Sequence, residues 1–406
     1  MEDRRKNQMN TIEIRNFGPI KEGYNGAMPI YPVTIICGDQ GAGKSTVAKL
    51  VSTFAWMEKA LVRGDIALNK KIISNAYFKQ RLEFHRIHNY LKENSEIHYT
   101  SSRFNFHYKN GTFSVDTIGE GIEYLMPKIM YVPAERNFLT VVEHPETLKE
   151  IPDSLFVLFS EYDKARNSLK RDISLPIEGY AYLYDKLNNV SWLTGKDFKV
   201  KMTEAASGFQ SLIPLIVVTR YIRHLIRIGE QAPTNLQVNN AIEKRIASIL
   251  ADNSIDEEMR KLLIKQQSAL KTYSKFINIV EEPEQNLFPT AQRNILYDLF
   301  VAYNEREKNQ LVITTHSPYM IDYTSLAVKA GAIRSKDDEV EKLLTKIVPP
   351  QARLDGDDVC VYQIRDGKIS PLEKYDNMPS DENFLNKELS DINELFGQLL
   401  ELEEGL

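Results

Sequence analysis

The chain has 406 residues, enough for one large domain or two ordinary ones, and its 42% hydrophobic and 26% charged residues describe a folded globular protein. A net charge of −5 excludes a polyanion binder driven by bulk charge, and two cysteines, Cys37 and Cys360, exclude a disulfide framework or a cysteine-rich zinc site. No apolar run approaches a membrane span, and MEDRRKNQMN has no apolar stretch behind it, so the expectation is a soluble, cytoplasmic protein with no membrane partner.

TIEIRNFGPIKEG (11–23) alternates Ile12, Ile14 and Phe17 with polar residues before Gly-Pro, which predicts an edge strand entering a turn. YPVTIIC (31–37) is apolar and β-branched, as a buried strand should be, with Cys37 a small hydrophobe inside it. The next segment places Val47, Leu50, Val51 and Phe54 at helical spacing. A charged helical stretch follows, and then RFNFHYKNGTFSVD (103–116) predicts a hairpin. In it Phe104, Phe106 and Tyr108 share a face and Asn110-Gly111 makes the turn. KIMYVPAERNF (128–138) reads as a strand running into a Pro-containing loop, and residues 140–200 as mostly helical. ASGFQSLIPLIVVTRYIRHLI (206–226) begins with small residues and becomes a strongly apolar helix. Residues 228–275 are polar with helical spacing. FINIVEEPEQNLFP (276–289) is a strand ending in acids, QLVITTHSP (310–318) a strand ending in His-Pro, and VCVYQIRDGKISPL (359–372) a hairpin turning at Asp366-Gly367. The last segment repeats Leu389, Ile392, Leu395, Phe396 and Leu399, an amphipathic helix whose stripe must be covered by the protein's own core or by a partner.

Three of these places carry chemistry. Between the buried strand and the helix lies CGDQGAGKST, with Gly38, Gly43, Lys44 and Ser45 at the spacing of a phosphate-binding loop. Glycines let successive N–H groups curl toward phosphate oxygens, and the helix that follows presents its positive end. The expected nucleotide contacts are Gly38, Asp39, Gln40, Gly41, Ala42, Gly43, Lys44, Ser45 and Thr46, with Lys44 on the β/γ-phosphates and Ser45 on Mg²⁺. A chance glycine-rich turn is the bland alternative. At the second place, Glu281 and Glu282 sit at the carboxyl end of a buried strand, where open α/β sheets bind ligands. One carboxylate can hold Mg²⁺ while its neighbour deprotonates the attacking water. Alternatively they cap a helix starting at Pro283. Third, His316 ends the following apolar strand and can meet the γ-phosphate or the water, or can simply be satisfied at a strand end.

Taken in order, the glycine-rich loop, ASGFQ (206–210), VEEPE (280–284) and TTHSP (314–318) resemble the head of ABC-type ATPases. More narrowly they resemble the SMC/RecF/OLD-like branch of the AAA family found in bacterial anti-phage operons. IEIRNFGPI is similar to that branch's opening strand and MYVPAERNF to its mid-domain segment. The resemblance implies an α/β P-loop fold with an antiparallel β subdomain and a helical signature lobe, using ATP and Mg²⁺. It implies one ATPase domain with an N-terminal lobe at 1–139, a mostly helical signature lobe and insertion at 140–275, an acidic-strand and switch-histidine lobe at 276–372, and a C-terminal amphipathic helix at 373–406. By that likeness Glu281 with Ser45 holds the metal, Glu282 is the general base and His316 the switch histidine. Ser207, Gly208 and Gln210 belong to the signature, which in the family reaches the nucleotide of an opposite subunit, and Glu135 lies near the γ-phosphate-sensing loop. Three departures stand out: Glu281 replaces the usual Asp, Phe209 replaces a glycine, and Asn278 interrupts the acidic strand.

Three functions follow as expectations. The first is an ATPase that forms a homodimer or higher homo-oligomer and controls a separately encoded effector, a nuclease or toxin. The second is a DNA-repair or chromosome ATPase that binds DNA through Lys70-Lys71, Lys79–Arg81 or the helix face of Arg220, Arg223 and Arg227 beside Tyr221. The third, a transporter subunit, fits poorly with the long insertion at 228–275. The acids in KDDEVEKLL and LDGDDVCVY read as solvated loop charge, so no nuclease activity is expected in this chain.

Overall fold

The computed structural model describes residues 9–69, 73–118, 124–142, 150–232, 236–252, 257, 260–261, 264, 267, 270–335, 337–375, 377–380 and 383–404. Its strands are β1 (Thr11–Arg15), β2 (Gly23–Tyr24), β3 (Met28–Pro29), β4 (Val33–Gly38), β5 (Glu96–Thr100), β6 (Phe104–Lys109), β7 (Thr112–Thr117), β8 (Pro127–Val132), β9 (Ile173–Ser174), β10 (Ala181–Asp185), β11 (Val190–Thr194), β12 (Lys199–Lys201), β13 (Lys275–Glu281), β14 (Gln310–Thr315), β15 (Val359–Arg365) and β16 (Lys368–Pro371). The longer helices are α1 (Lys44–Arg63), α2 (Asn75–Glu83), α3 (Asp153–Ser168), α4 (Ser207–Ile228), α5 (Leu236–Ala251), α6 (Pro289–Asn304), α7 (Pro318–Ala332), α8 (Asp338–Ile347) and α9 (Phe384–Glu404).

The main sheet runs β2-β16-β15-β4-β14-β13-β8, with β15, β4, β14, β13 and β8 parallel. Its central strands read as continuous apolar runs because helices cover both faces. The pleat sorts their side chains. Val33, Ile35 and Cys37 of β4 enter the core shared with α4, α6 and α7, while Ile36 faces α1. On β13, Ile277 and Ile279 face α1, whereas Phe276 and Val280 face α4. Asn278, on the α4 face, is buried and donates from Nδ2 to Thr219 Oγ1 at 3.4 Å. By the same alternation Glu281 belongs to the α1 face, the side on which the glycine-rich loop lies.

A second sheet, β3-β1-β5-β6-β7, is antiparallel and packs beside α1 through an aromatic cluster. Phe54 of α1 stacks on Tyr99 at 4.9 Å, and Phe78 stacks on Phe113 at 4.2 Å. The hairpin 104–117 turns at Asn110 and Gly111, both with positive φ, as a type I′ turn requires. β1 is not the predicted edge strand: β3 and β5 pair with it on both sides.

Residues 140–200 are not mostly helical. After α3 the chain folds into a four-stranded antiparallel meander, β12-β11-β10-β9. The strands are short and half-exposed, so no apolar run announced them. The meander packs against α3 and α4: the Tyr162 hydroxyl meets that of Tyr182 at 2.9 Å, and Tyr180 lies against Phe209 with ring centroids 4.7 Å apart. The final helix starts at Phe384, after a two-stranded ribbon at 374–379.

Candidate active site

All three chemistry-bearing segments arrive at the carboxyl ends of adjacent parallel strands: β4 delivers the glycine-rich loop, β13 the acids and β14 the histidine. The loop makes a tight curl in which Ala42 N–H donates to Asp39 O at 3.2 Å, while Asp39, Gln40 and Gly41 form its exposed rim. Gly43 holds φ 111° just before α1, and a Cβ there would come 2.6 Å from Ile20 Cδ1, so no other residue fits. Thr46 is buried and Ser45 half-buried in the first turn of α1.

The Lys44 ammonium is buried. It donates to Gly38 O at 2.7 Å and Asp39 O at 2.9 Å, and lies 3.2 Å from His316 Nδ1. An ammonium can only donate, so Nδ1 accepts. The ring proton of a neutral His316 then sits on Nε2, which is 3.1 Å from Glu282 Oε1. Lys44, His316 and Glu282 therefore form one chain of hydrogen bonds with a set tautomer. Burial holds the Lys44 pKa below its ordinary value, against the pull of Glu282. The hydrogen bond from His316 holds Glu282 below the usual carboxylate range, with the charges of Lys44 and Arg136 helping.

Glu282 does not cap a helix at Pro283. The next helix starts at Pro289, and Glu282 stands at φ 44° in the left-handed region, a conformation costing about 1–3 kcal/mol for such a residue. Three bonds impose it: Glu282 N–H donates to Thr314 O at 2.8 Å, and Glu282 O accepts from Gln285 N–H at 3.1 Å and from Arg136 Nη2 at 2.6 Å.

Arg136 and Glu284 organise this corner, and sequence reasoning gave neither that part. Arg136 has no exposed surface. It donates to the main-chain oxygens of Pro133 (3.3 Å), Ser211 (2.9 Å), Glu281 (2.6 Å) and Glu282 (2.6 Å), joining the mid-domain loop, α4 and the acidic strand end. Burial brings its pKa down to about 10. Glu284 Oε1 accepts from Thr315 Oγ1 and from His316 N–H, each at 2.7 Å, and burial raises its pKa. The arginine that closes PAER and the third acid in EEPE were the available signals, but neither pattern says that its charge is buried.

Glu281 ends β13, almost fully buried, and its Oε2 accepts from Ala134 N–H at 3.3 Å. Its Oε1 has no hydrogen-bond partner, nor do Glu284 Oε2 and the Oγ1 of Thr314, the register partner of Glu281 on β14. A buried carboxylate oxygen left unmatched on the α1 face fits a divalent cation completed by Ser45 and phosphate oxygens. Among the described residues no cluster of three or more His, Cys, Asp or Glu could hold a metal unaided.

The signature residues separate. Ser207 is exposed at the first turn of α4, and the helix is entered through Ala206, so Ser207 is not the cap. At Gly208 a Cβ would come 2.7 Å from Asn286 O, which presses α4 against the loop following the acids. Gln210 is turned inward: its amide donates to Met202 O at 3.1 Å and Thr203 O at 3.2 Å. Its amide donors are thus engaged within the lobe. Glu135 borders an open depression of about 370 Å³ with Phe138, Val141 and Gln285. The arginine face of α4 is paired with acids: Arg220 with Asp298 at 3.0 Å, Arg223 and Arg227 with Glu305. Lys70 and Lys71 lie outside the described residues, and Arg81 stacks on Trp56 at 5.0 Å.

A glycine-rich loop, an acidic strand end and a histidine on neighbouring parallel strands define a P-loop ATPase fold. The sequence model of the AAA ATPase domain matches residues 140–321, which contain the signature, the acids and His316. The chain is an ATPase, with its phosphate loop lying before the matched stretch. No curated protein matches it. Among solved structures it is similar to the SMC head domain from Thermotoga maritima (9% identity, 90% of this chain and 100% of that one, TM-score 0.36). It is similar also to an Smc head domain with an extended coiled coil, bound to the C-terminal domain of ScpA from Pyrococcus furiosus (9%, 95% and 100%, 0.41). A nucleotide-free ATP-binding cassette from an ABC transporter matches at 11% identity, 91% and 92% coverage and TM-score 0.29. At these scores the fold is argued from the sheet order rather than from the overlays. Among the described residues no helix is long and apolar enough to cross a membrane.

Proposed function

We propose that this ATPase closes its nucleotide site against another copy of itself, as a homodimer or higher homo-oligomer, and that the closed state controls a separately encoded effector, a nuclease or toxin, in anti-phage defence. The observation that carries the ATPase mechanism is the bridge from Lys44 through His316 to Glu282. The cation that would meet the β/γ-phosphates and the carboxylate that would take the water's proton share one imidazole. A phosphate reaching Lys44 competes with His316 Nδ1 for the same ammonium, so nucleotide arrival is felt at the base.

The backbone N–H groups of residues 39–46 and the positive end of α1 would hold the phosphates. Ser45 and Glu281 would hold Mg²⁺, which offsets phosphate charge when bound. Glu282, ionised and oriented by His316, would accept the proton of the attacking water. Ser207, exposed and free of capping duty, and Gly208 would face the nucleotide of the opposite copy.

The pairing of Arg220 with Asp298, and of Arg223 and Arg227 with the one carboxylate of Glu305, offsets two of the three positive charges on the helix face proposed for DNA, which favours an effector over direct DNA binding. The test of the shared site mixes Lys44→Ala and Ser207→Arg proteins, each inactive alone. Recovered ATPase activity, approaching half of wild type per heterodimer, is expected. Confirmed subunit exchange without recovery, together with ATP-dependent assembly that survives Ser207→Arg, overturns the shared site. The effector is tested by co-expression with neighbouring genes: a co-purifying product whose activity is unchanged by ATP or by Glu282→Gln overturns its control.

A further inference from the structure

Helix α9 is fixed at one end and bare along the rest. At its base Leu385 packs on the main core, Asn386 Nδ2 donates to Asp322 Oδ1 at 3.3 Å, and Asn383 Oδ1 accepts from the N–H groups of Leu385 and Asn386, both at 3.1 Å. From Asp391 onward no described residue of the helix is buried. Ile392, Phe396 and Leu399 follow at spacings of four and three, with Leu395 and Leu402 alongside, and all are 58–66% exposed. Spacing of this kind makes a seam for another helix. The expectation that the protein's own core covers this stripe is not met.

The charge around the seam narrows the occupant. Residues 384–404 carry one lysine against six acids, Glu388, Asp391, Glu394, Glu401, Glu403 and Glu404, a net −5 that equals the net charge of the whole chain. Asp391 and Glu403 border the seam at helical spacing, whereas Glu394 and Glu401 lie on the far face, so a second copy laid on the seam in either direction brings acids toward acids. An anionic lipid surface is repelled in the same way. We infer that α9 docks a helix of another protein that has an apolar stripe flanked by Lys and Arg. In naming the partner's chemistry this rests on the effector reading, but the surface is separate from the nucleotide site and its test needs no nucleotide.

The test uses the full chain and two labelled peptides of 21 residues, the length of α9, with the same leucine seam, one flanked by Lys and Arg and the other by Glu. Anisotropy is expected to detect the basic peptide alone, more weakly as salt rises. Phe396→Glu should weaken that binding about tenfold or more. The double charge reversal Asp391→Lys with Glu403→Lys, at the two acids that border the seam, should transfer preference to the acidic peptide, which also controls for a misfolded variant. Both variants should hydrolyse ATP as wild type does. Four outcomes overturn the inference: no binding of the basic peptide, equal binding of both peptides, a fall in assembly state caused by Phe396→Glu alone, or flotation of the chain with neutral phosphatidylcholine vesicles that Phe396→Glu abolishes. Loss of ATPase activity in Lys44→Ala with peptide binding intact separates the two readings.

Discussion

The carboxyl edge of the main sheet and helix α9 both concentrate acidic residues, yet they treat them in opposite ways. At the sheet edge Glu282 is held by His316 and by its main chain, and Glu284 by Thr315 and the His316 N–H. Arg136 ties the backbone of Glu281 and Glu282 to α4. Along α9 Glu394, Glu401 and Glu403 stand in water, and Ile392, Leu395, Phe396, Leu399 and Leu402 among them are largely exposed. A group held by several others transmits a change to all of them, whereas an exposed group affects only what binds it later. Substitutions should therefore have large, spreading effects at the first place and almost none on folding at the second.

The sharpest break in that contrast comes from Glu282→Gln. An amide keeps the contact with His316 Nε2 but accepts no proton, so turnover should fall about 10²–10⁴-fold with ATP affinity nearly unchanged. Wild-type steady-state turnover would move the base elsewhere. Lys44→Ala should reduce Mg-ATP affinity about a hundredfold or more, from the loss of charge-assisted phosphate bonds worth about 3 kcal/mol. Calorimetry with unchanged affinity would remove Lys44 from the site. Arg136→Ala leaves four main-chain oxygens to find new donors, and one such buried loss costs about 1–3 kcal/mol. A melting point lowered by about 1 °C for each kcal/mol in a chain this large is expected by calorimetry.

His316→Ala makes a smaller and more specific change. The His316 hydrogen bond is the first cause of the lowered Glu282 pKa, so its loss lets that pKa rise. Activity that needs the ionised carboxylate is then lost at a higher pH as acid is added. The acid limb of the kcat profile should shift upward, and an unmoved limb would show that Glu282 does not set it. The smallest effect tests the other region: a chain ending before Asp391 should melt within about 1 °C of the full chain, since exposed positions contribute within about 0.5 kcal/mol.

Much of the sheet edge was legible because its strands are unbroken apolar runs. YPVTIIC, FINIV and QLVITT each run directly into a candidate segment, Gly38–Thr46, Glu281-Glu282 and His316, and such runs mark strands covered on both faces. The meander at 173–201 was illegible for the opposite reason. Its strands have two to five residues, mostly half-exposed, and its central turn uses Asn189 at φ 52° without a following glycine. Arg136 and Glu284 were visible as residues but not as buried supports, because depth depends on what the distant segments 207–228 and 310–315 bring over them. The direction of the Gln210 amide was illegible for the same reason: the 202–204 turn folding back under α4 sets it.

The charge on α9 has a colloidal consequence. Residues 391–404 hold five acids and no base, so a chain that ends at Ser390 has no net charge left near neutral pH. Such a protein sits at its isoelectric point under ordinary buffers, where molecules no longer repel and begin to precipitate. The helix that adds nothing to folding would then be what keeps the folded molecules apart until something basic covers it.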